Sequence, residues 1–359
     1  MDFGLSEEQE ILQETRRGFA EKECPTTRVR ELFDAGQGHD PVLWAGLAEM
    51  GIAGLAVPEQ WGGAGLELLD VALAAEVLAH SGMPGPFLGH SIAVLGVLAS
   101  GSDAERAAIL PGLASGESIA TIALQEQDTA WAPEDWKTRF ADGRVTGTKT
   151  IVSHADLADH MLVGVEGGRL AWVDAKAGGV SIEDQNGVDR ARPIARVRFE
   201  GARARLLAGG TEASERMLDT AFVLLATDAF GAATRLIELD VAYSQSRHQF
   251  GQPIAQFQAI KHAIARMGTE IETARGLWWY AAHALDRTHA DASLQASIAK
   301  AHITDRAMDT ARQSVELHGG YGFTWECEVQ MWFKRIMFDR AFLGTPEQHR
   351  ERSARRGDW

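Results

Sequence analysis

Cysteine is nearly absent from this 359-residue chain, which holds only Cys24 and Cys327. Two thiols cannot build a disulfide framework, and neither stands at a metal-ligand spacing. Positive charge is also scarce. With 35 Lys and Arg against 50 Asp and Glu, the formal net charge is −15. That balance argues against a nucleic-acid surface, where phosphate contacts require a local excess of cations. No run approaches the ~18 continuous apolar residues that a membrane span requires. The opening "MDFGLSEEQE" is acidic and lacks the apolar core of a secretory signal. The default expectation is cytoplasmic, with neither membrane nor nucleic acid as partner. No GxGxxG lies at a strand–helix junction, so a Rossmann dinucleotide site is unsupported. The 12 histidines show no ligand spacing, and no metal is expected. There is no internal repeat and no low-complexity tract.

What is present describes an ordinary globular chain, 45% hydrophobic and 24% charged, long enough for two or three packed domains. The first third reads as helix. Ser6 stands as an N-cap before "EEQEILQETRRGFAEKE", which carries acidic residues in its first turn. "PVLWAGLAEMGI" and "LELLDVALAAEVLAHSG" continue the helical spacing on either side of a Gly-rich loop, "AVPEQWGGAGL". From about Ser118 to Leu207 short β-prone runs alternate with Asp142-Gly143, Gly167-Gly168 and Asn186-Gly187 turns, the pattern of antiparallel strands. Helix then returns. "ASERMLDTAFVLLATDAFGAATRLIELDVAYSQS" is apolar on more than one side, as for the interior of a bundle or an oligomer interface. A second helix starts near Pro253 and Gln258, with Ile260, Ile264, Met267, Ile271, Ala274 and Trp278 as one stripe. A third stops at Gly319-Gly320. The expected class is α+β: an N-terminal helical domain (1–117), a middle antiparallel β domain (118–207) and a C-terminal four-helix-bundle domain (208–359).

Between two of those helices lies "RHQFGQPIAQFQ", residues Arg247 to Gln258, too rich in Arg, amide and aromatic groups for a mere connection. The guanidinium of Arg247 is a planar fork that matches phosphate oxygens bidentately. Gly251 lets the chain turn, and Gln258 adds donor capacity near a helix start. Gly319-Gly320, in "ELHGGYGFTWE", allows close backbone approach. Taken alone, the same features describe a helix C-cap and an exposed arginine.

These segments, with "TGTKTIVSHADLADHMLV", "MDFGLSEEQ" and "MGIAGLAVPEQWGGAGL", occur in the order found in one family. The chain resembles the acyl-CoA dehydrogenases over essentially its whole length. The Arg247 stretch is similar to the family's R-x-x-F-G-x-x-x-x-x-x-Q turn, and "ELHGGYGFTWE" to its Q-x-x-G-G-x-G-F segment. The resemblance implies FAD between the β domain and the bundle, oxidation of an acyl-CoA thioester to its α,β-enoyl form, and an electron-transferring flavoprotein as acceptor. The cofactor brings the redox chemistry, the protein its geometry and electrostatics.

The resemblance further divides the site in two. The Arg turn and the Gly-Gly segment reach across a dimer interface to the FAD of the neighbouring subunit. That set is nearly complete here: Arg247, Gln249, Phe250, Phe257, Gln258, Gly319, Gly320 and Gly322, with Glu316 where the family commonly has Gln. A carboxylate there accepts but cannot donate, which suits a ribose hydroxyl better than a phosphate. The set serving the chain's own flavin is eroded. "LQEQDTAWAPED" replaces the family's T-E-P-x-x-G-S-D loop, with Trp131 in place of its glycines and serine. Ile151-Val152-Ser153 lacks the usual Trp, although Ser153, like Thr345, stays a secondary cofactor-binding candidate. Leu343 occupies the position of the family's catalytic glutamate in "AFLGTPEQ"; Ala221 occupies the alternative glutamate position, and Phe222 that of an Arg. Leucine cannot take a proton, and general-base catalysis typically contributes ~10²–10⁴-fold.

The expectation is therefore a base-less subunit of a heteromeric enzyme, of the kind that acts on bulky acyl-CoA esters such as sterol-derived chains. It would complete the FAD site of a homologous sister subunit that carries the glutamate. Two alternatives stay open: a self-sufficient homo-oligomer with a relocated base, Asp219 or Glu347 being nearest in sequence, and a scaffold without flavin. Asp219, on a helix, is most simply a solvated or capping residue. The ten Trp read as core or interface anchors. The basic "RERSARRGDW" tail is compatible with a solvated end or with docking on a neighbour.

Overall fold

The computed structural model describes residues 4–127 and 130–357. Parts of three expectations fall outside them: Met1–Phe3 of the N-terminal stretch, Asp128 and Thr129 of the eroded loop, and Asp358 and Trp359 of the tail. The N-terminal helices are α1 (Glu7–Glu23), α2 (Thr26–Ala35), α3 (Pro41–Glu49), α4 (Leu68–His80), α5 (Phe87–Ser100) and α6 (Asp103–Ala114). Ser6 caps α1 in a reciprocal box with Gln9, as its sequence implies.

The middle is a sheet of β1 (Ala120–Ala123), β2 (Arg139–Ala141), β3 (Arg144–Ser153), β4 (His160–Val165), β5 (Arg169–Asp174), β6 (Val180–Asp184) and β7 (Ile194–Leu206). Its order is β1-β4-β5-β7-β3-β2, with β6 also on β7. One pairing departs from the antiparallel expectation: β1 runs parallel to β4. All four β1 residues are buried, so it lacks the alternation of a half-solvated strand and has the continuous apolar character of a parallel one. β2 and β6 had no signal in the sequence because both are short and largely exposed. Asp142-Gly143 and Gly167-Gly168 close the β2–β3 and β4–β5 hairpins, whereas Asn186-Gly187 lies in the longer β6–β7 connection.

The C-terminal part comprises α7 (Thr211–Ser246), α8 (Gln258–Asp286), α9 (Ala292–Leu317), α10 (Val329–Ala341) and α11 (Pro346–Arg356), with a small hairpin of β8 (His248–Gln249) and β9 (Gln252–Pro253) between α7 and α8. α7 is the one described helix long and apolar enough to cross a membrane, but its most apolar stretch is 83% buried inside the chain. It packs against α4, α5, α8, α9 and α10, which explains why it is apolar on more than one side. The tail docks on its own chain: Arg352 of α11 bonds Asp219, Ser293 and Ser297, and Arg356 bonds Glu215.

The three parts are locked by a buried ion cluster whose contacts span up to 252 residues of sequence. Arg192, from the β6–β7 connection, reaches Asp228 on α7 and Asp339 on α10; Arg335 bonds Asp228 and the Met83 carbonyl. With Asp189 the cluster holds two guanidiniums and three carboxyls, all buried. Burial pushes the Asp339 carboxyl well above the carboxylate range, while the two arginines hold Asp228 low.

Candidate functional site

The Arg247 stretch forms an exposed hairpin. α7 ends when Arg247 turns to extended backbone, and β8 pairs with β9 through His248–Pro253 and Gln249–Gln252. The two tip residues, Phe250 and Gly251, have φ of +52° and +81°. Two positive-φ residues match the twist of a tight hairpin, a geometry that favours Asn-Gly; Phe at the first position is strained. Phe250 is 91% exposed and meets Phe257 edge-on, with centroids 6.0 Å apart. Arg247, Gln249 and Gln258 are exposed. The Arg247 side chain makes no hydrogen bond or ion pair with any described residue, although its backbone closes the hairpin through Tyr243 and Ile254. Gln258 is the first residue of α8, whose N-terminus has no side-chain cap.

The Gly-Gly segment is tied to the same place. Tyr243, one turn before Arg247, stacks on His318 at 4.1 Å and donates to the His318 carbonyl at 3.4 Å. Gly319 follows at φ +60°, and neither Gly319 nor Gly320 has a neighbour within 4 Å of where a Cβ would stand. Gly322 differs, because a Cβ there would lie 2.3 Å from the Val315 carbonyl; its smallness serves packing. Glu316, Gly319 and Gly320 are exposed on the last turn of α9 and just beyond it. Arg247, Gln249, Phe250, Phe257, Gln258, Glu316, Gly319 and Gly320 thus belong to two adjoining segments joined through Tyr243, with donors mostly facing out.

The other polar candidates are already bonded within the chain. The Ser153 hydroxyl is 2.8 Å from His154 Nδ1, and His154 Nε2 donates to the Gly38 carbonyl at 3.0 Å, so the serine donates to Nδ1. Thr345 caps α11 in a reciprocal box with Gln348. Leu343 is fully buried at φ +54°, and Ala221 is fully buried. Asp219 is 4% exposed and pairs with Arg352 at 2.8 Å, which corrects the expectation of a solvated or capping residue. Burial raises its carboxyl despite that partner. Glu347 is exposed and bonds Arg340 at 3.1 Å.

Sequence reasoning missed two groups that shape this interior. Lys149, in the "TGTK" stretch, is fully buried and bonds Glu126 at 2.7 Å and the Leu124 carbonyl at 3.1 Å, anchoring the start of the eroded loop. Burial lowers it to about 8 against the pull of Glu126. Lys300 is also fully buried, with no carboxylate bonded to it. It donates to the carbonyls of Asp339 at 2.6 Å and Gly344 at 3.2 Å, and burial lowers it to about 7. It pins the turn that carries Leu343. Nothing in local pattern marks either lysine, since both partners come from distant segments.

Comparison with known proteins now decides the family. Residues 6–117 match the acyl-CoA dehydrogenase N-terminal domain, and residues 208–357 the C-terminal domain. Acyl-CoA dehydrogenase IpdE2 of Mycolicibacterium smegmatis is 32% identical over 349 residues, 97% of this chain and 98% of its own length. The chain belongs to the acyl-CoA dehydrogenase family. Acyl-CoA dehydrogenase FadE34 of Mycobacterium tuberculosis is also 32% identical over 95% of this chain, which spans only 46% of that longer relative. Among solved structures, the Tcur3481-Tcur3483 steroid ACAD superposes with a TM-score of 0.90 at 29% identity, covering 98% of each chain. The ChsE4-ChsE5 complex of Mycobacterium tuberculosis gives 0.91 at 24% identity over 100% of this chain and 99% of that one, a likeness of fold.

Acyl-CoA dehydrogenases are FAD-dependent oxidoreductases, and the two halves of this chain fit that cofactor unequally. The exposed set suits the nucleotide end: a free guanidinium, outward amides and two glycines with open space above them. The interior set does not suit the reactive end. Its hydroxyls are engaged within the chain, no carboxylate stands at Leu343 or Ala221, and Trp131, Phe222 and His349 pack against each other beside them.

Proposed function

We propose that this chain is the base-less subunit of a heterotetrameric acyl-CoA dehydrogenase and completes the FAD site of a homologous sister subunit. Bound FAD supplies the hydride acceptor for α,β-desaturation of a thioester. The sister supplies the carboxylate that removes the α-proton. This chain supplies Arg247 toward the cofactor diphosphate, with Gln249 and Gln258 as further donors, and Gly319-Gly320 where backbone approaches the adenosine half. Glu316 accepts from a ribose hydroxyl, Phe250 and Phe257 cover the cofactor, and Ser153 and Thr345 remain with the chain's own packing. The substrate class is an acyl-CoA, of the bulky sterol-derived kind that the likeness to a steroid ACAD favours. An electron-transferring flavoprotein would take the electrons.

The observation that carries this reading is the unpaired Arg247 guanidinium on an exposed hairpin beside the Gly-Gly segment. An arginine aimed into solvent from a strained turn is more useful to another chain than to its own. The homo-oligomeric alternative is weakened because Asp219 is held by Arg352 and Glu347 faces solvent. Co-expression with a sister homologue that keeps the glutamate tests the reading: flavin and dye-linked turnover should appear only with both chains. Arg247→Ala in this chain should then lower FAD affinity of the complex by about 10²-fold, the scale of a lost charge-assisted phosphate contact. Unchanged FAD affinity would end the proposal.

A further inference from the structure

Trp131, Phe222 and His349 come from three separate segments, the loop after β1, the middle of α7 and α11, yet form one closed aromatic cluster. Trp131 meets Phe222 edge-on at 5.3 Å and stacks on His349 at 5.3 Å and 25°; Phe222 meets His349 at 4.4 Å. All three are buried. The cluster is closed on its inner side. His349 Nε2 donates to the Leu343 carbonyl at 3.0 Å, and the Arg352 guanidinium lies over Phe222 at 5.2 Å. A Cβ on Gly344 would stand 2.9 Å from Trp131 and 2.8 Å from His349. On the outer side Trp131 forms part of the wall of a cleft of about 840 Å³ between residues 130–137 and α11. An open cleft thus ends against packed rings, immediately beside Leu343.

We propose that these three residues are an internal plug, filling with the chain's own rings the space that a flavin ring and thioester would otherwise take. The second set of sites in the heteromer is then closed by packing and does not stand empty awaiting cofactor. This deepens the subunit reading and rests on it for the identity of the space. The plug also explains why the tail helix belongs to the site: α11 contributes His349 and clamps Phe222 through Arg352. Large-to-small substitution in a core leaves a cavity that the surroundings close only in part, and an engineered apolar cavity can take up a small aromatic molecule, so a plug held by three rings is removable in principle.

The test uses the full-length chain and lumiflavin, a planar ring system with no phosphate, so the Arg247 hairpin cannot contribute. The unvaried chain should give no saturable quenching of lumiflavin fluorescence. Trp131→Gly combined with Phe222→Ala should bind it saturably, at least tenfold more tightly than the unvaried chain, and Trp131→Phe should behave as the unvaried chain does. Uptake by the unvaried chain would overturn the plug, as would a double variant that folds by circular dichroism and binds no better. If the double variant does not fold, Trp131→Gly alone is read by the same two criteria, and the unvaried chain still decides against the plug if it takes up the probe. The Arg247 measurement fails independently of this one. Loss of the trans grip with a confirmed plug would leave a closed subunit with another role.

Discussion

The hairpin at residues 247–258 and the turn at residues 342–345 are both family landmarks, and they have opposite physical characters. At the hairpin, Phe250 is 91% exposed, the Arg247 side chain has no partner among the described residues, and the backbone carries a non-glycine residue at φ +52°. At the turn, Leu343 is fully buried, the backbone is again in the left-handed region, and Lys300 and His349 satisfy its carbonyls. Both segments carry a non-glycine residue at positive φ, but only the hairpin turns its polar side chains out to solvent. Strain surrounded by satisfied groups is explained by packing; strain surrounded by free donors asks for a ligand or a partner. The contrast separates a segment whose polar side chains face outward from one whose backbone is bonded inside the chain, and the proposed subunit role rests on that division.

The interior side of that contrast is broken most severely at the ion cluster. Arg192→Ala removes the arginine bonded to Asp339 and one of the two arginines bonded to Asp228, which leaves three buried carboxyls with a single guanidinium. A loss of about 3–5 kcal/mol in unfolding free energy is expected by chemical denaturation. Asp339→Asn is the sharp control. Because burial already holds Asp339 above the carboxylate range, replacing it by a neutral amide should cost far less than Arg192→Ala. Equal costs would show that Asp339 is charged.

Acid should attack the interior. His90 accepts from the Ala120 amide and donates to the Ala53 and Leu113 carbonyls, while His154 lies between Ser153 and Gly38. Full burial lowers both to about 4. In the unfolded chain they titrate near the usual 6.5, so between pH 6.5 and 4 the unfolded state binds more protons than the native state. Stability therefore falls as pH drops through that window, by at most roughly 3 kcal/mol per histidine. His90→Gln, which keeps a neutral polar group, should flatten the decline between those limits; an unaltered pH profile would assign it to other groups.

Leu343→Glu would restore the residue type of a base without restoring a site. The carboxyl would arrive in a fully buried position beside packed rings, costing roughly 2–3 kcal/mol for an unsatisfied polar group. The isolated variant should still reduce no dye with acyl-CoA. Turnover by that single variant would show that the missing carboxylate was the only defect and that Trp131, Phe222 and His349 do not obstruct the site.

Much of this was legible in sequence, for identifiable reasons. The helices carry their own caps and periodicity, as at Ser6 and along Met267, Ile271, Ala274 and Trp278 of α8, so local physics announces them. The turn at Arg247 to Gln258 and the helix stop at Gly319-Gly320 were legible from their glycines, while the cofactor role given to them came from the family resemblance. The parallel pairing of β1 was not, since strand direction is set by a partner 40 residues away. Nor were the ion cluster, the carbonyl cage of Lys300 or the Trp131–Phe222–His349 packing. Each joins residues whose separation in sequence gives no pattern, and a buried Lys or Arg looks in sequence like any solvated one. Trp131 was conspicuous as a substitution, but only the fold shows what it meets.

The smallest effect bears on the hairpin itself. Phe250 and Gly251 form a two-residue tip with both φ positive, where Asn-Gly is the favoured pair and Phe is penalised. Phe250→Asn should therefore raise the stability of the isolated chain by roughly 0.5–1 kcal/mol, a shift of about 1–3 °C in thermal midpoint for a protein of this size. If the ring exists to meet the sister subunit or its cofactor, the same change should weaken the co-expressed complex while strengthening its free component. Opposite signs in the two measurements would identify the strain as retained for a partner. A variant that stabilises both, or neither, would reduce Phe250 to an ordinary exposed ring and leave Arg247 alone to carry the exposed half of the comparison.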